Sequence, residues 1–493
     1  MWVDPLSSFN PKRIFSLKSN YKRTKIIGTI GPASSDPEMI EKLVNKGLNV
    51  CRLNFSHGNY NTQSKLVEKI RKGIKNNPRS FGIPILMDLK GPSIRTGFVR
   101  DISKKIFLKK FDLLELTTDY SHLGTNKRIS CSYSKLASSV GKGDLILVAD
   151  GTLTLQVLDS KPDDGLVLTK VLNDFVLGES KNMNLPRKKI DLPTITNKDK
   201  RDLQGFARDH DIDMVSISFC RTANDVELAR EVLGVRGNTI ELIAKIENHE
   251  GIDNLEEIIR TADGIMIARG DLGMELRPDE TALAQKMITY LSKKHCKPVI
   301  VATQMLESMI KNARPTRAEI GDVTNAVLDS NDAVMLSGET SIGAFPLEAV
   351  KVMRNVSQRV EQCKEYDIDF HNRDFQVINE KQAIVQGAVE MSMLLDTEFL
   401  IVLSKDSNDH KFASSMRPKS IILAPYHDVR MLRFFELFNG LYGVLDLKMD
   451  NHQESIRLAY EHAINMNFIS KDETFTAVIA DCDTKKVYPF RIN

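Results

Sequence analysis

The chain has 493 residues, 42% of them apolar, and its 68 lysines and arginines nearly balance 65 aspartates and glutamates, for a net charge of +3. That length predicts two to four domains with sizeable cores, and the near balance excludes the strong basic bias of a nucleic-acid partner. Six scattered cysteines without a CxxC or CxxxC pair predict buried reduced thiols rather than a zinc site, and no stretch is apolar for long enough to be a membrane helix or signal peptide, so a cytoplasmic protein is expected.

After a polar leader (1–22), Thr24–Gly31 reads as a first strand. The helix behind it is marked by Asp36 as N-cap, Pro37 at the first helical position, an apolar stripe of Met39, Ile40, Leu43 and Val44, and Gly47 at its end. Leu48–Phe55 and Pro84–Asp88 read as the second and third strands. From 91 to 190 the helical period gives way to short alternating stretches, with Asp150-Gly151 as a hairpin signal, so a β-rich insert leaves and re-enters after strand three.

Strand and helix alternate again from Asp191. Met214–Phe219, Ile240–Glu247, Gly264–Ala268, Pro298–Gln304 and Ala333–Ser337 are near-continuous apolar runs, as parallel strands buried on both faces require. The helices between them include Thr281–His295, with Leu283, Ala284, Met287, Ile288 and Leu291 expected inward, and one opened by the capping box Thr316–Glu319. Three strands plus five make eight, the count of a (β/α)8 barrel. The expected fold is therefore α/β: a barrel from 23–90 and 191–358, an inserted β-domain at 91–190, and a C-terminal α/β domain at 359–493.

Barrel enzymes do their chemistry at the C-terminal ends of the strands. Those ends offer Arg52, Asn54 and Ser56, all of one parity, then Asp88 with Lys90 and Arg95 beyond it. Lys245 and Glu247 lie two apart on strand five and share a face, and Gly270 and Asp271 follow strand six. Thr303 and Gln304 end strand seven, and Ser337, Gly338 and Glu339 end strand eight. Taken singly, each has an ordinary explanation: surface ion pairs for the arginines, turns for Asn54, Ser56 and His57, packing for Met305 and Met309. Together, carboxylates beside cations suit a divalent metal and an anionic, phosphorylated substrate, and phosphoryl transfer needs positioning and charge neutralisation more than a covalent nucleophile.

The motifs TKIIGTIGPAS (Thr24–Ser34), RLNFSHG (Arg52–Gly58), KGPSIRTG (Lys90–Gly97), AKIENHEGI (Ala244–Ile252), GIMIARGDLG (Gly264–Gly273), VATQMLESM (Val301–Met309), RPTRAE (Arg314–Glu319) and MLSGET (Met335–Thr340) run along most of the chain. The sequence resembles the pyruvate kinase family. That resemblance implies a catalytic barrel, a mobile β-barrel lid and a C-terminal α/β domain, and transfer of a phosphoryl group from phosphoenolpyruvate to ADP through an enolate. It implies Glu247 and Asp271 as ligands of Mg²⁺ or Mn²⁺, Lys245 as the cation on the phosphoryl group in flight, and Arg52 on the substrate phosphate. It further implies Gly270 and Asp271 backbone N–H groups on the substrate carboxylate, Thr303 at the enolate, Asn54, Arg95 and Lys181 on the nucleotide, and a homotetramer.

Three features depart from the family pattern. Its monovalent-cation position corresponds to Asn54, Ser56, Asp88 and Leu89; potassium-dependent members carry Thr at the last and Glu where Ser93 stands, so weak or absent K⁺ dependence is expected. The effector loop of sugar-phosphate-activated members reads Ser404-Lys405-Asp406-Ser407-Asn408-Asp409, and its two carboxylates should repel phosphate, so no activation by fructose 1,6-bisphosphate is expected. Arg187-Lys188-Lys189 is more basic than the small residues usual there. Two other readings stand beside the kinase: a lyase using metal–enolate chemistry on a related barrel, and a non-catalytic paralogue.

Overall fold

The computed structural model describes residues 21–74, 81–366, 370 and 377–492; most of the leader lies outside that range. Eight parallel strands close the barrel: β1 (Lys25–Thr29), β2 (Val50–Asn54), β3 (Ile85–Asp88), β4 (Met214–Ile217), β5 (Glu241–Ile246), β6 (Gly264–Ala268), β7 (Val299–Ala302) and β8 (Ala333–Leu336), with β8 pairing back to β1. All eight fall inside the expected runs. The side-chain period of two divides each strand between two cores. Ile27, Val50, Leu86, Met214, Ile243, Met266 and Ile300 fill the barrel, while Ile26, Cys51, Ile85, Val215, Leu242 and Ile265 face the surrounding helices.

The helix Pro37–Lys46 starts and stops as expected, with the Asp36 carboxylate accepting from the Glu38 and Met39 N–H groups and Gly47 at φ 120°. The capping box of Thr316 and Glu319 is also present. The stretch after β5 is two short helices, His249–Asp253 and Leu255–Thr261, broken at Asn254. One expectation is corrected. The helix after β6 runs Pro278–Lys294 and turns Ala284, Gln285, Ile288, Thr289 and Ser292 inward, whereas Leu283 and Met287 are 69% and 40% exposed. Its apolar residues spread over more than one stripe, and the barrel meets the one carrying small and hydroxyl side chains.

The insert forms a seven-stranded sheet in the order Ile94–Arg95, Asn182–Asn184, Leu145–Val148, Leu153–Lys161, Leu166–Val171, Leu113–Thr117 and Arg128–Ser130. Its outer strands meet through an antiparallel bridge between Thr96 and Cys131, with Ser132 N–H donating to the Arg95 carbonyl at 2.9 Å, which closes the sheet. The Asp150-Gly151 hairpin is present, with Ala149, Asp150 and Gly151 all left-handed at φ 52°, 55° and 76°. The C-terminal sheet has four parallel strands, Leu441–Leu445, Ile421–Tyr426, Phe399–Leu403 and Phe475–Asp481, and an antiparallel edge, Lys486–Ile492.

At the barrel floor Lys25 is fully buried, donating to the Leu441 carbonyl at 2.6 Å with its ammonium 3.5 Å from the Tyr442 ring centre. Five of the six cysteines are buried and Cys296 is half-buried. Among the described residues no helix is long and apolar enough to cross a membrane.

Candidate active site

The alternation that fills the barrel also decides what its mouth contains. Two residues beyond each apolar layer, the inward positions become Thr29 on β1, Arg52 on β2, Asp88 on β3, Ser216 and then Ser218 at the end of β4, and Lys245 and then Glu247 at the end of β5. Strand register fixes their heights, since Thr29 pairs with Arg52 and Asp88 with both Asn54 and Ser216. The result is a cleft of about 440 Å³, lined by Arg52, Asp88, Ser218, Lys245 and Glu247 of this ring together with Asp271, Thr303 and the lid residues Asp150, Arg95 and Lys181.

Asp88 is the hinge of the charges. Its carboxylate accepts from Arg52 Nε at 2.8 Å, with Arg52 Nη2 at 2.6 Å, and Lys245 Nζ lies 3.4 Å from its other oxygen. Burial alone would raise the Asp88 pKa, but Lys245 and Arg52 outweigh it and hold the carboxyl below its ordinary value. Arg52 also donates to Thr29 Oγ1 at 2.8 Å. Lys245 Nζ lies 2.9 Å from Glu247 Oε1 and donates to Ser218 Oγ at 2.9 Å. Burial opposes its charge, yet Asp88, Glu247 and Asp271 together keep the ammonium's pKa above the usual lysine value.

Glu247 and Asp271 converge on one cleft from the end of β5 and from the helix Arg269–Glu275. Both carboxyls are pushed up, chiefly by burial and then against the pull of Lys245. Glu247 Oε2 accepts from the Phe219 N–H at 2.6 Å, while Glu247 Oε1 and Asp88 Oδ1 face the Lys245 ammonium at 2.9 and 3.4 Å. Two carboxylates brought together at the cleft supply the oxygen ligands that a hard divalent cation takes. Among the described residues no cluster of three or more His, Cys, Asp or Glu suits a metal by itself. Two carboxylates with room for substrate and water oxygens is the pattern of Mg²⁺ held together with a phosphate.

Thr303 sits in the left-handed region at φ 70°, and Gln304 follows at φ 54°. A β-branched residue there is strained. Arg269 holds the corner: its Nη2 donates to the Thr303 carbonyl at 2.9 Å while its Nη1 pairs with Asp322 at 2.6 Å. Thr303 Oγ1 donates to the Ala302 carbonyl at 2.5 Å and accepts from the Gly270 N–H at 2.7 Å.

On the nucleotide side, Arg95 Nη1 donates to the Ser180 carbonyl at 2.9 Å and its Nε to Ser93 Oγ at 3.3 Å. The Lys181 side chain is exposed, and Asn54 Oδ1 accepts from the Ser56 N–H at 3.0 Å. Leu89 turns its side chain into the outer core while its carbonyl faces β4. Of the Arg187-Lys188-Lys189 tripeptide, the largely exposed Arg187 donates to Glu280 at 3.2 Å and Lys188 lies 2.7 Å from Asp144.

Thr29, Ser218, Phe219, Asp150, Asn184 and Glu275 were not expected. Asn184 Nδ2 lies 3.4 Å from Glu275 Oε1, joining the lid's return strand to the helix that carries Asp271, and burial pushes the Glu275 carboxyl up to about 7. Strand parity carried to one more residue would have found Thr29 and Ser218.

Comparisons with known proteins agree with this geometry. The family described as "Pyruvate kinase, barrel domain" matches residues 21–350. A pyruvate kinase of Eimeria tenella is 41% identical over 459 residues, 92% of this chain and 86% of that one. A cytosolic pyruvate kinase isozyme of Glycine max is 42% identical over 405 residues, covering 82% and 79%. The crystal structure of a pyruvate kinase from Cryptosporidium parvum superposes over 100% of both chains with a TM-score of 0.89 at 37% identity. With its barrel, closed lid sheet and cleft accounted for, this chain belongs to the pyruvate kinase family.

Proposed function

We propose that the ring of polar residues at the barrel mouth divides the work of phosphoryl transfer as follows. The chain transfers the phosphoryl group of phosphoenolpyruvate to ADP, giving pyruvate and ATP, with a divalent metal. Glu247 and Asp271 hold that metal, Mg²⁺ or Mn²⁺, which when bound neutralises phosphoryl and enolate oxygens. Arg52, aimed inward by Asp88 and Thr29, binds the substrate phosphate through a planar donor fork. Lys245 neutralises the charge that builds on the phosphoryl group as it leaves the enolate oxygen. Asp271 and Gly270 N–H groups take the substrate carboxylate, the Gly270 N–H passing to it from the Thr303 hydroxyl. Thr303 is then free at the methylene carbon, where the enolate takes its proton. Asn54, Arg95 and Lys181 receive the nucleotide phosphates.

The observation that carries this reading is the convergence of the Glu247 and Asp271 carboxylates in one cleft, with the Lys245 ammonium 2.9 Å from Glu247 Oε1. It is tested by titrating Mn²⁺ into the protein and following free ion by electron paramagnetic resonance. Glu247→Gln and Asp271→Asn each weaken binding by roughly 10-fold or more; unchanged affinity in both variants rejects the metal assignment.

The same reading takes 23–90 and 191–358 as the catalytic barrel, 91–190 as a lid and 359–493 as a C-terminal unit. K⁺ dependence is weak or absent, because Leu89 and Ser93 stand where potassium-dependent members carry Thr and Glu. The C-terminal loop supports indifference to fructose 1,6-bisphosphate: Asp406 caps the helix Ser407–Ser415, Asp409 accepts from Ser404 at 2.5 Å, and Asp481 is held by His452 at 2.7 Å. A homotetramer fits the exposed apolar stripe of Leu283, Met287 and Tyr290 on the helix Pro278–Lys294, and a cytoplasmic setting fits the soybean cytosolic relative.

A further inference from the structure

The corner that ends β4 touches more of the cleft than any role above uses. Ser218 is buried, and its hydroxyl is bound on both sides: it accepts from Lys245 Nζ at 2.9 Å and donates to the Leu89 carbonyl at 2.8 Å. Leu89 is fixed from its other side as well, its N–H donating to the Ser216 carbonyl at 3.1 Å. Two residues later, at Gly91, the chain enters the lid. Gly91 has φ 64° and passes so close to Ser218 that a Cβ on it would lie 2.6 Å from the Ser218 Cβ. On the other flank Phe219 turns left-handed at φ 53° and gives its N–H to Glu247 at 2.6 Å.

The Lys245 ammonium touches Ser218 at 2.9 Å, Glu247 at 2.9 Å and Asp88 at 3.4 Å. Two are carboxylates and draw it toward the floor and the metal side. Ser218 is the neutral one, and its hydroxyl is oriented because its own proton is committed to the Leu89 carbonyl. Without that acceptor the ammonium settles between the two carboxylates, away from the path of the phosphoryl group. We propose that Ser218 is a positioning residue for phosphoryl transfer, aiming the Lys245 ammonium into the cleft and tying its direction to the strand from which the lid departs.

This inference rests on the assignment of Lys245 to the phosphoryl group, and one pair of reactions separates the two. Exchange of pyruvate methyl protons with solvent uses the metal cleft and the Thr303 side but moves no phosphoryl group. In Ser218→Ala, kcat for pyruvate formation falls roughly 10- to 100-fold, the cost of losing a hydrogen bond to a charged group. KM for phosphoenolpyruvate stays within about threefold, and methyl-proton exchange in D₂O, followed by proton NMR, stays within about threefold of the native protein. Ser218→Cys, which keeps the volume and a weak S–H donor, gives an intermediate rate. A native kcat in Ser218→Ala overturns the inference, and so does a parallel fall of transfer and exchange, which marks a merely structural serine. If Lys245→Met keeps full transfer, it is the Lys245 assignment that fails, whatever Ser218→Ala does.

Discussion

Replacing Asp88 by Asn tests whether the cleft is held together by its charges. The substitution keeps size and shape but removes the one counter-ion that Arg52 grips at 2.8 and 2.6 Å and that Lys245 approaches to 3.4 Å. Asp88 is 1% exposed, so water cannot take its place. Breaking a buried ion pair by removing one partner costs about 3–5 kcal/mol, and for a domain of this size each kcal/mol moves the midpoint by about 2–4 °C. The barrel's transition, followed by scanning calorimetry, should therefore fall by roughly 6–20 °C. Because the pair is buried, 0.5 M salt should change that difference little, whereas a surface pair would be screened. Turnover should fall by at least about 100-fold, since Arg52 loses the carboxylate that aims it. A midpoint lowered by less than about 2 °C together with near-native turnover would show that Arg52 is oriented by something other than Asp88.

Other outcomes follow from the same geometry. Replacing K⁺ by tetramethylammonium at constant ionic strength should leave the rate essentially unchanged; a collapse refutes the reading of Leu89 and Ser93. Fructose 1,6-bisphosphate should leave the apparent KM for phosphoenolpyruvate where it was, and a clear lowering would contradict the account of the Asp406 and Asp409 loop. His410 is fully buried, its Nε2 3.1 Å from the Val402 carbonyl, and burial pushes its pKa down to about 4. The unfolded chain protonates near 6.5, so this contribution to stability is complete above that pH and is lost as pH falls toward 4, by at most about 3 kcal/mol. His410→Phe should flatten that part of the acid denaturation curve of the C-terminal unit; an unchanged slope assigns the acid sensitivity to other groups.

Much of the barrel can be read from composition because each strand is an apolar run that stops at polar residues, and parity then sorts its side chains. Arg52, Asp88, Lys245 and Glu247 reach one mouth for that reason alone. Ser218 was missed because a serine closing a strand looks like a turn former, and only its two partners, Lys245 and the Leu89 carbonyl, give it another meaning. The Thr303-Gln304 corner is equally silent in sequence: both residues disfavour φ > 0, and Arg269 and Asp322 stabilise it from elsewhere in the chain. Leu283 and Met287 were turned the wrong way because helical period reveals stripes without saying which one meets the barrel. Nothing local in the sequence marks Lys25 for burial, which depends on the Leu441 carbonyl more than 400 residues away.

The central claim is that Lys245 acts on the phosphoryl group in flight more than on the bound substrate. Steady-state turnover and direct phosphoenolpyruvate binding, measured side by side on Lys245→Met with Mg²⁺ present, test it most directly. The account predicts turnover reduced below detection with affinity for phosphoenolpyruvate within about tenfold of the native protein. Retained turnover, or affinity lost in the same proportion as the rate, would contradict it.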